Sequence, residues 1–282
     1  MAEHELHDFP SLFSLKGKVA VVTGGSRGLG LQSASGLLQA GCAKVFISSR
    51  SADACDAACA ALNALPNLQP GARAISVPAD SSSFAGVQAL VAAVAAQTDH
   101  VDILLANAGA SWGAPLDNHP DEAFAKVLDL NVRGVFNAIR LFLPLLKVRS
   151  SIEDPARIIV TGSVAGISHG LPMAYGYTAS KAAIMHLART LAAELGPRHI
   201  TINSLAPGFF PSKMSNGLLK ASGGVEAVSK ANPHGRLGRG EDIAGAVVYL
   251  ASRAGAHVSG ATIAIDGGAM SGSSDAFPKA KL

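Results

Sequence analysis

Tyr177 and Lys181 stand four residues apart in Tyr177-Thr178-Ala179-Ser180-Lys181. On a helix that spacing puts a phenol and an ammonium on one face, about one turn or 5.4 Å apart along the axis. The chemistry served is proton transfer. A free phenol ionises near pH 10, so a shuttle working near neutrality needs its anion stabilised, and a fall of ~3 in pKa corresponds to ~4 kcal/mol. One ammonium in a partly dry site can supply much of that. Tyr175 is the rival phenol, but it is six residues from Lys181 and on a different face, so Tyr177 is the candidate.

A second constellation is Thr23-Gly24-Gly25-Ser26-Arg27-Gly28-Leu29-Gly30. Glycines at a strand-to-helix turn let backbone N–H groups approach a pyrophosphate, and the helix N-terminus favours its charge. In a dinucleotide site an acid about 20 residues on would take the ribose 2′-hydroxyl of NAD, whereas an Arg matches the 2′-phosphate of NADP. Counting on from Gly30 gives Arg50, after Ser48 and Ser49. A guanidinium can bind that phosphate bidentately, and Arg27 offers a second positive charge. The expected cofactor is NADP(H).

These residues need strands and helices to hold them, and the sequence supplies them in alternation. Strands are expected at 19–24, 44–50, 72–80, 101–109, 157–163, 200–208 and 261–266. Helices are expected at 29–41, ending at the capping Gly41, and at 51–65, 84–97, 121–147, 175–195 and 241–252, with Pro144 kinking the last turns of the long one. Short β-branched runs alternating with Ala- and Leu-rich segments are the mark of βαβ units, and strands this continuously apolar are buried on both faces. The fold class is therefore α/β: a single doubly wound Rossmann domain with a parallel seven-stranded sheet and helices on both faces. It spans 16–268, between an N-terminal extension (1–15) and a C-terminal tail (269–282). The Gly-, Ser-, Lys- and Asn-rich stretch 209–240 is longer than a connector requires and reads as a substrate lid.

Composition narrows the partners. Apolar runs are all interrupted well short of a membrane span. A net charge of +3 with dispersed Lys and Arg gives no nucleic-acid surface, so a small molecule is the expected ligand. Three cysteines make no disulfide framework, and Cys55 and Cys59, four apart, lack further ligands for a metal; packing is their expected role. Residues 1–15 do not read as a secretory signal.

Taken together, the ordered motifs resemble the short-chain dehydrogenase/reductase family over essentially 16–268. They are the loop at 23–30, Asn107-Ala108-Gly109, Asn131, Ser163, Tyr177 with Lys181, and Pro207-Gly208. The resemblance implies that Tyr177 is the general acid/base, that Ser163 bonds the substrate carbonyl oxygen, and that Lys181 binds nicotinamide ribose and lowers the tyrosine pKa. It also implies that Asn131 holds a proton-relay water. It places Gly24, Ser26, Arg27, Gly28, Leu29 and Gly30 at the phosphates, Asp80 and Ser81 at the adenine, Asn107, Ala108 and Gly109 beneath the cofactor, Pro207 and Gly208 beside it, and Phe210 and Ser212 at the carboxamide. Two positions depart from the common pattern: Ala106 where many members have Asn, and Ser212 where many have Thr. Segments 107–113, 162–167 and 210–214 are most similar to 3-oxoacyl reductases of the rhamnolipid type.

The implied activity is an NADPH-dependent carbonyl reductase, interconverting a ketone and a secondary alcohol. The alternative is a 3-oxoacyl-thioester (ACP or CoA) reductase, ahead of an enoyl- or dienoyl-CoA reductase or a non-catalytic NADP-sensing protein. Family habit and a charged content of only 15% imply a homotetramer or homodimer. The loops holding Trp112 and His169 should flank the substrate, though no role follows from either side chain's type or spacing. Ala280-Lys281-Leu282 resembles a peroxisomal address, read if the source is eukaryotic; otherwise a cytoplasmic location is expected.

Overall fold

The computed structural model describes residues 6, 8–168 and 171–272. His169 and the C-terminal tripeptide lie outside them. Seven strands form one parallel sheet: β1 (Val19–Thr23), β2 (Lys44–Ser48), β3 (Arg73–Ser76), β4 (Ile103–Ala106), β5 (Ala156–Thr161), β6 (Ile200–Pro207) and β7 (Thr262–Ile265). Their spatial order is β3-β2-β1-β4-β5-β6-β7. The order reverses between β1 and β4, and the crevice beyond the carboxyl ends of strands at such a switch point is where ligands bind in open α/β sheets.

Helices cover both faces: α1 (Gly28–Gln39), α2 (Ala52–Asn63), α3 (Phe84–Ala95), α4 (Asp121–Leu128), α5 (Val135–Leu146), α6 (Tyr175–Leu195), α7 (Asn216–Ala221), α8 (Gly224–Ala231) and α9 (Gly240–Ala251). The two-residue period of a strand explains the layering. Along β1, Ala20 and Val22 point into a core shared with α1, α2 and α9. Val19 and Val21 point into the opposite core, shared with α3, α5 and α6. This is the Rossmann-type architecture expected from the sequence. Cys42, Cys55 and Cys59 are free thiols buried in the first core.

Three local features differ from the sequence reading. The helix expected over 121–147 is broken by a π-helical turn, Asp129–Gly134, between α4 and α5. There the side chain of Asn131 is fastened to the backbone of Ala110 by two hydrogen bonds of 2.9 Å. The wider turn is compatible with that outside anchor, and such turns recur at functional sites. The stretch 209–240, expected as a loop, carries the short helices α7 and α8. The extension before 16 is docked at its end: Leu15 is fully buried, and the N–H of Ala254 donates to the carbonyl of Leu12 at 3.1 Å.

Candidate active site

β1 delivers Thr23 to the switch point. Its Oγ1 accepts the backbone N–H groups of Asn107 (3.0 Å) and Ala108 (3.1 Å), locking the end of β4 to the end of β1. Asn107 Nδ2 donates back to the carbonyls of Thr23 and Gly24, both at 3.2 Å, and Asn107 Oδ1 accepts from Thr161 Oγ1 of β5 at 3.1 Å. Three strand ends are thus cross-linked beneath one loop. Gly24 and Gly28 take left-handed φ of +64° and +53°, which glycine adopts without strain. At Gly30 a Cβ would lie 2.3 Å from the Gly24 carbonyl oxygen, so only glycine lets α1 start this close to the strand.

The loop fits a dinucleotide. Its backbone forms a cradle that side chains would fill, it ends at a helix N-terminus, and Arg27 and Arg50 are both exposed with no salt bridge among the described residues. Ser48 Oγ, at the adjoining end of β2, is buried without a hydrogen-bond partner among the described residues. Asp80 lies in the same region. Its carboxyl is held below the ordinary range first by the N–H of Ser82, then by the Ser82 hydroxyl and the charge of Arg50, against the opposing effect of burial. Ser26 and Leu29 are partly buried, while Ser81 is buried.

The second cluster sits where β5 ends. Ser163 accepts the N–H of Ala165 at 3.2 Å and so caps a short turn at Val164–Gly166. The same hydroxyl lies near enough to the phenol of Tyr177 to favour its anion. Lys181, one turn along α6, is buried; its Nζ lies 5.7 Å from the centre of the Tyr177 ring and donates to the carbonyl of Thr161 at 2.6 Å. Tyr175 turns the other way, its ring 5.8 Å from that of His119. A Cβ at Gly109 would lie 3.3 Å from Asn131 Oδ1 and 3.4 Å from Lys181 Nζ, which puts Asn131, Gly109 and Lys181 in one patch.

Two details of these side chains bear on their chemistry. Burial pushes the Tyr177 phenol above its ordinary range, opposed by the nearby Ser163 hydroxyl. The same burial lowers Lys181 from 10.5 to about 8. Asn131 has both amide protons committed, one to the Ala110 carbonyl and one to Ser180 Oγ at 2.9 Å. Its side chain therefore works as a brace.

At the end of β6, the N–H of Gly208 donates to the Ile265 carbonyl at 3.0 Å, and Pro207 closes the strand. Ser212 stands across from the glycine loop: a Cβ at Gly28 would lie 3.9 Å from Ser212 Cβ. Phe210 turns its ring into the core against Gly238, where a Cβ would meet it at 2.4 Å. The ring is therefore not available to a carboxamide. A cavity of about 330 Å³ lined by His234, Arg236, Asp242 and Asp266 does not include Tyr177, and Arg236 is already paired there with Asp242.

The model of the family described as short chain dehydrogenase matches residues 18–222. The chain belongs to that family. A 3-oxoacyl-[acyl-carrier-protein] reductase of rhamnolipid biosynthesis from Pseudomonas aeruginosa is 47% identical over 256 residues, covering 91% of this chain and 97% of that protein. A 3α-hydroxysteroid dehydrogenase from Mediterraneibacter gnavus is 35% identical, covering 91% and 98%. Among solved structures, the active-site complex of Pseudomonas aeruginosa RhlG with NADP superposes with a TM-score of 0.86 at 45% identity, covering 94% of this chain and all of that one.

Sequence reasoning gave no role to three residues of this short-chain dehydrogenase: Thr23 and Ser180, which lie inside its motifs, and Thr161, which it passed over. Thr23 and Thr161 link the strand ends, and Ser180 donates to the Tyr177 carbonyl at 2.7 Å while accepting from Asn131. The available signal was a hydroxyl on the last residue of two strands that meet the ligand crevice.

Proposed function

We propose that the protein reduces the ketone of a 3-oxoacyl thioester, with NADPH as reductant. The motifs taken alone led first to a general ketone reductase, and the steroid dehydrogenase relative keeps that broader substrate range in view. What supports the acyl reading is the 47% identical 3-oxoacyl reductase, aligned over nearly its whole length. The observation that carries the chemistry is the buried Lys181 ammonium 5.7 Å from the Tyr177 ring on one helix face, with Ser163 beside the phenol.

In this reading Ser163 and Tyr177 donate hydrogen bonds to the ketone oxygen. The phenol then passes its proton to that oxygen as negative charge develops. A phenol raised by burial holds its proton at neutral pH, the form a reduction needs. Bound nicotinamide supplies the hydride. Lys181 stabilises the phenolate left behind and holds ribose hydroxyls, while Asn131 and Ser180 keep α6 in register with the loop after β4. Arg27 and Arg50 take the 2′-phosphate, Gly24, Ser26, Gly28, Leu29 and Gly30 the pyrophosphate, and Asp80 and Ser81 the adenine. Asn107, Ala108 and Gly109 form the floor; Pro207, Gly208, Ser212 and the backbone at Phe210 border the carboxamide. The segment 209–240 closes over the substrate as a lid.

An NADPH-oxidation panel tests this. Acetoacetyl-CoA and 3-oxoacyl-ACP should turn over faster than simple ketones, and enoyl-CoA should not react. Tyr177→Phe should lower turnover by at least 10²-fold, in line with general acid catalysis, with NADPH binding unchanged. Full activity in that variant would remove the assignment, and NADPH binding without oxidation of any ketone would favour a sensing role. Assembly as a homotetramer or homodimer, tested by sedimentation, accompanies this proposal. Peroxisomal import in a eukaryotic source, tested by deleting 280–282 from a fluorescent fusion, does so as well.

A further inference from the structure

At the first turn of α6, on the side away from Tyr177, lies a cavity of about 240 Å³ that the reduction chemistry does not use, lined by Leu116, His119, Asp121, Phe124 and Tyr175. Its walls are rings: His119 stands edge-on to Phe124 at 6.0 Å and to Tyr175 at 5.8 Å. His119 Nε2 is covered and finds no hydrogen-bond partner among the described residues. The mouth is apolar and open. Of its lining, Leu116 is 71% exposed and Tyr175 is exposed as well; Trp112 and Met173, also exposed, precede these two residues on the same loops. The two loops carrying Trp112 and Met173 are tied together, because Ala114 N–H donates to the Met173 carbonyl at 3.0 Å. Met173 is held at φ +62°, a left-handed conformation that a side chain disfavours and that recurs at ligand clamps. An exposed cluster of large apolar side chains on tied loops marks a binding groove.

We propose that this cavity seats the distal alkyl segment of a medium- or long-chain 3-oxoacyl thioester, which makes chain length the selected property. The inference rests on the acyl reading above. Tyr175 opens α6 two residues before Tyr177, a rise of about 3 Å and a turn of roughly 200° around the axis. A chain whose ketone lies at Ser163 and Tyr177 reaches the cavity by crossing the first turn of α6, past Tyr175. A helix with its side chains is about 10–12 Å across, so short acyl groups end before the cavity and longer ones enter it. Asp121, the one charged residue of the lining, disfavours the phosphates of a thioester carrier and leaves the uncharged alkyl end as the occupant.

The test compares kcat/KM for acetoacetyl-, 3-oxooctanoyl- and 3-oxododecanoyl-CoA in wild type, Leu116→Asp and Met173→Gly. A fully buried methylene is worth about fourfold, and an open cavity about half that in free energy, so the dodecanoyl substrate should exceed the octanoyl one by on the order of tenfold. In both variants that preference should collapse to about twofold or less, with acetoacetyl-CoA turnover unchanged; Met173→Gly also relieves the left-handed strain and should fold at least as well. The emission of Trp112, the sole tryptophan, gives a second readout: dodecanoyl-CoA should shift it in wild type and not in Leu116→Asp. Were no 3-oxoacyl thioester turned over, the acyl reading would fail, while a Trp112 shift would still support an alkyl site. A length preference identical in wild type and variants, with no Trp112 response, would overturn the inference. So would a Leu116→Asp variant that changes only the sedimentation of the protein, since the patch would then be a subunit contact.

Discussion

Lys181→Met is expected to abolish efficient reduction and yet leave the nucleotide-free protein at least as stable at pH 7. Lys181 is buried, and its hydrogen bond is to the Thr161 carbonyl. Its depression from 10.5 to about 8 means that the folded state holds the charged form at a penalty. That penalty is roughly 3 kcal/mol wherever both folded and unfolded chains are protonated, below about pH 8. Between pH 8 and 10.5 the unfolded chain binds more protons than the folded one, so stability gained from this group rises with pH across that window. Methionine removes the penalty but leaves the Thr161 carbonyl without its donor, a loss of roughly 1–3 kcal/mol. The variant should therefore lie between equal to wild type and about 2 kcal/mol more stable at pH 7. By pH 10 wild type recovers about 2 kcal/mol of its handicap, and the ranking reverses or closes. Denaturant melts of both proteins at pH 7, 8.5 and 10 give the difference, from which other titrating groups cancel. A variant destabilised by more than about 2 kcal/mol at pH 7, or a difference that does not move with pH, would refute the reasoning.

Three further outcomes follow from the same geometry. Gly30→Ala places a methyl 2.3 Å from the Gly24 oxygen, so NADPH titration should show binding weakened at least tenfold and melts a loss of about 1–3 kcal/mol; a near-silent variant would contradict the tight loop. Arg50→Glu should weaken NADPH by about 10- to 100-fold relative to NADH, the worth of a charged hydrogen bond, and an unchanged NADPH/NADH ratio would take Arg50 out of the phosphate site. The reductive kcat/KM should fall above about pH 8 as Lys181 loses its proton, by about tenfold per pH unit; a plateau extending to pH 10 would deny the lysine an electrostatic role.

The strands were legible because a parallel strand buried on both faces reads as a near-continuous apolar run, as β4 does throughout and β1 does up to Thr23. The paired motifs were legible because one helical turn puts Tyr177 and Lys181 on one face whatever surrounds them. The π turn at 129–134 was not, since the apolar period runs through it and its anchor, Ala110, is a backbone group. Composition also misled over 209–240, where Gly- and Ser-rich sequence still forms α7 and α8. Thr161 was passed over because a threonine in a strand first reads as a β-former.

The sign of the tyrosine shift is what spacing alone does not reveal. Spacing reveals that an ammonium is near a phenol, but not that both have been taken out of water. Desolvation disfavours the charged form of each, raising the acid Tyr177 and lowering the base Lys181. The pair is thereby drawn toward its neutral forms. A lysine at about 8 is mostly charged at pH 7, yet closer to releasing a proton there than a free lysine. A phenol above 10 stays protonated until a developing alkoxide needs it. Burial thus prepares the proton donor, while the ammonium's field acts chiefly after transfer, on the phenolate left behind.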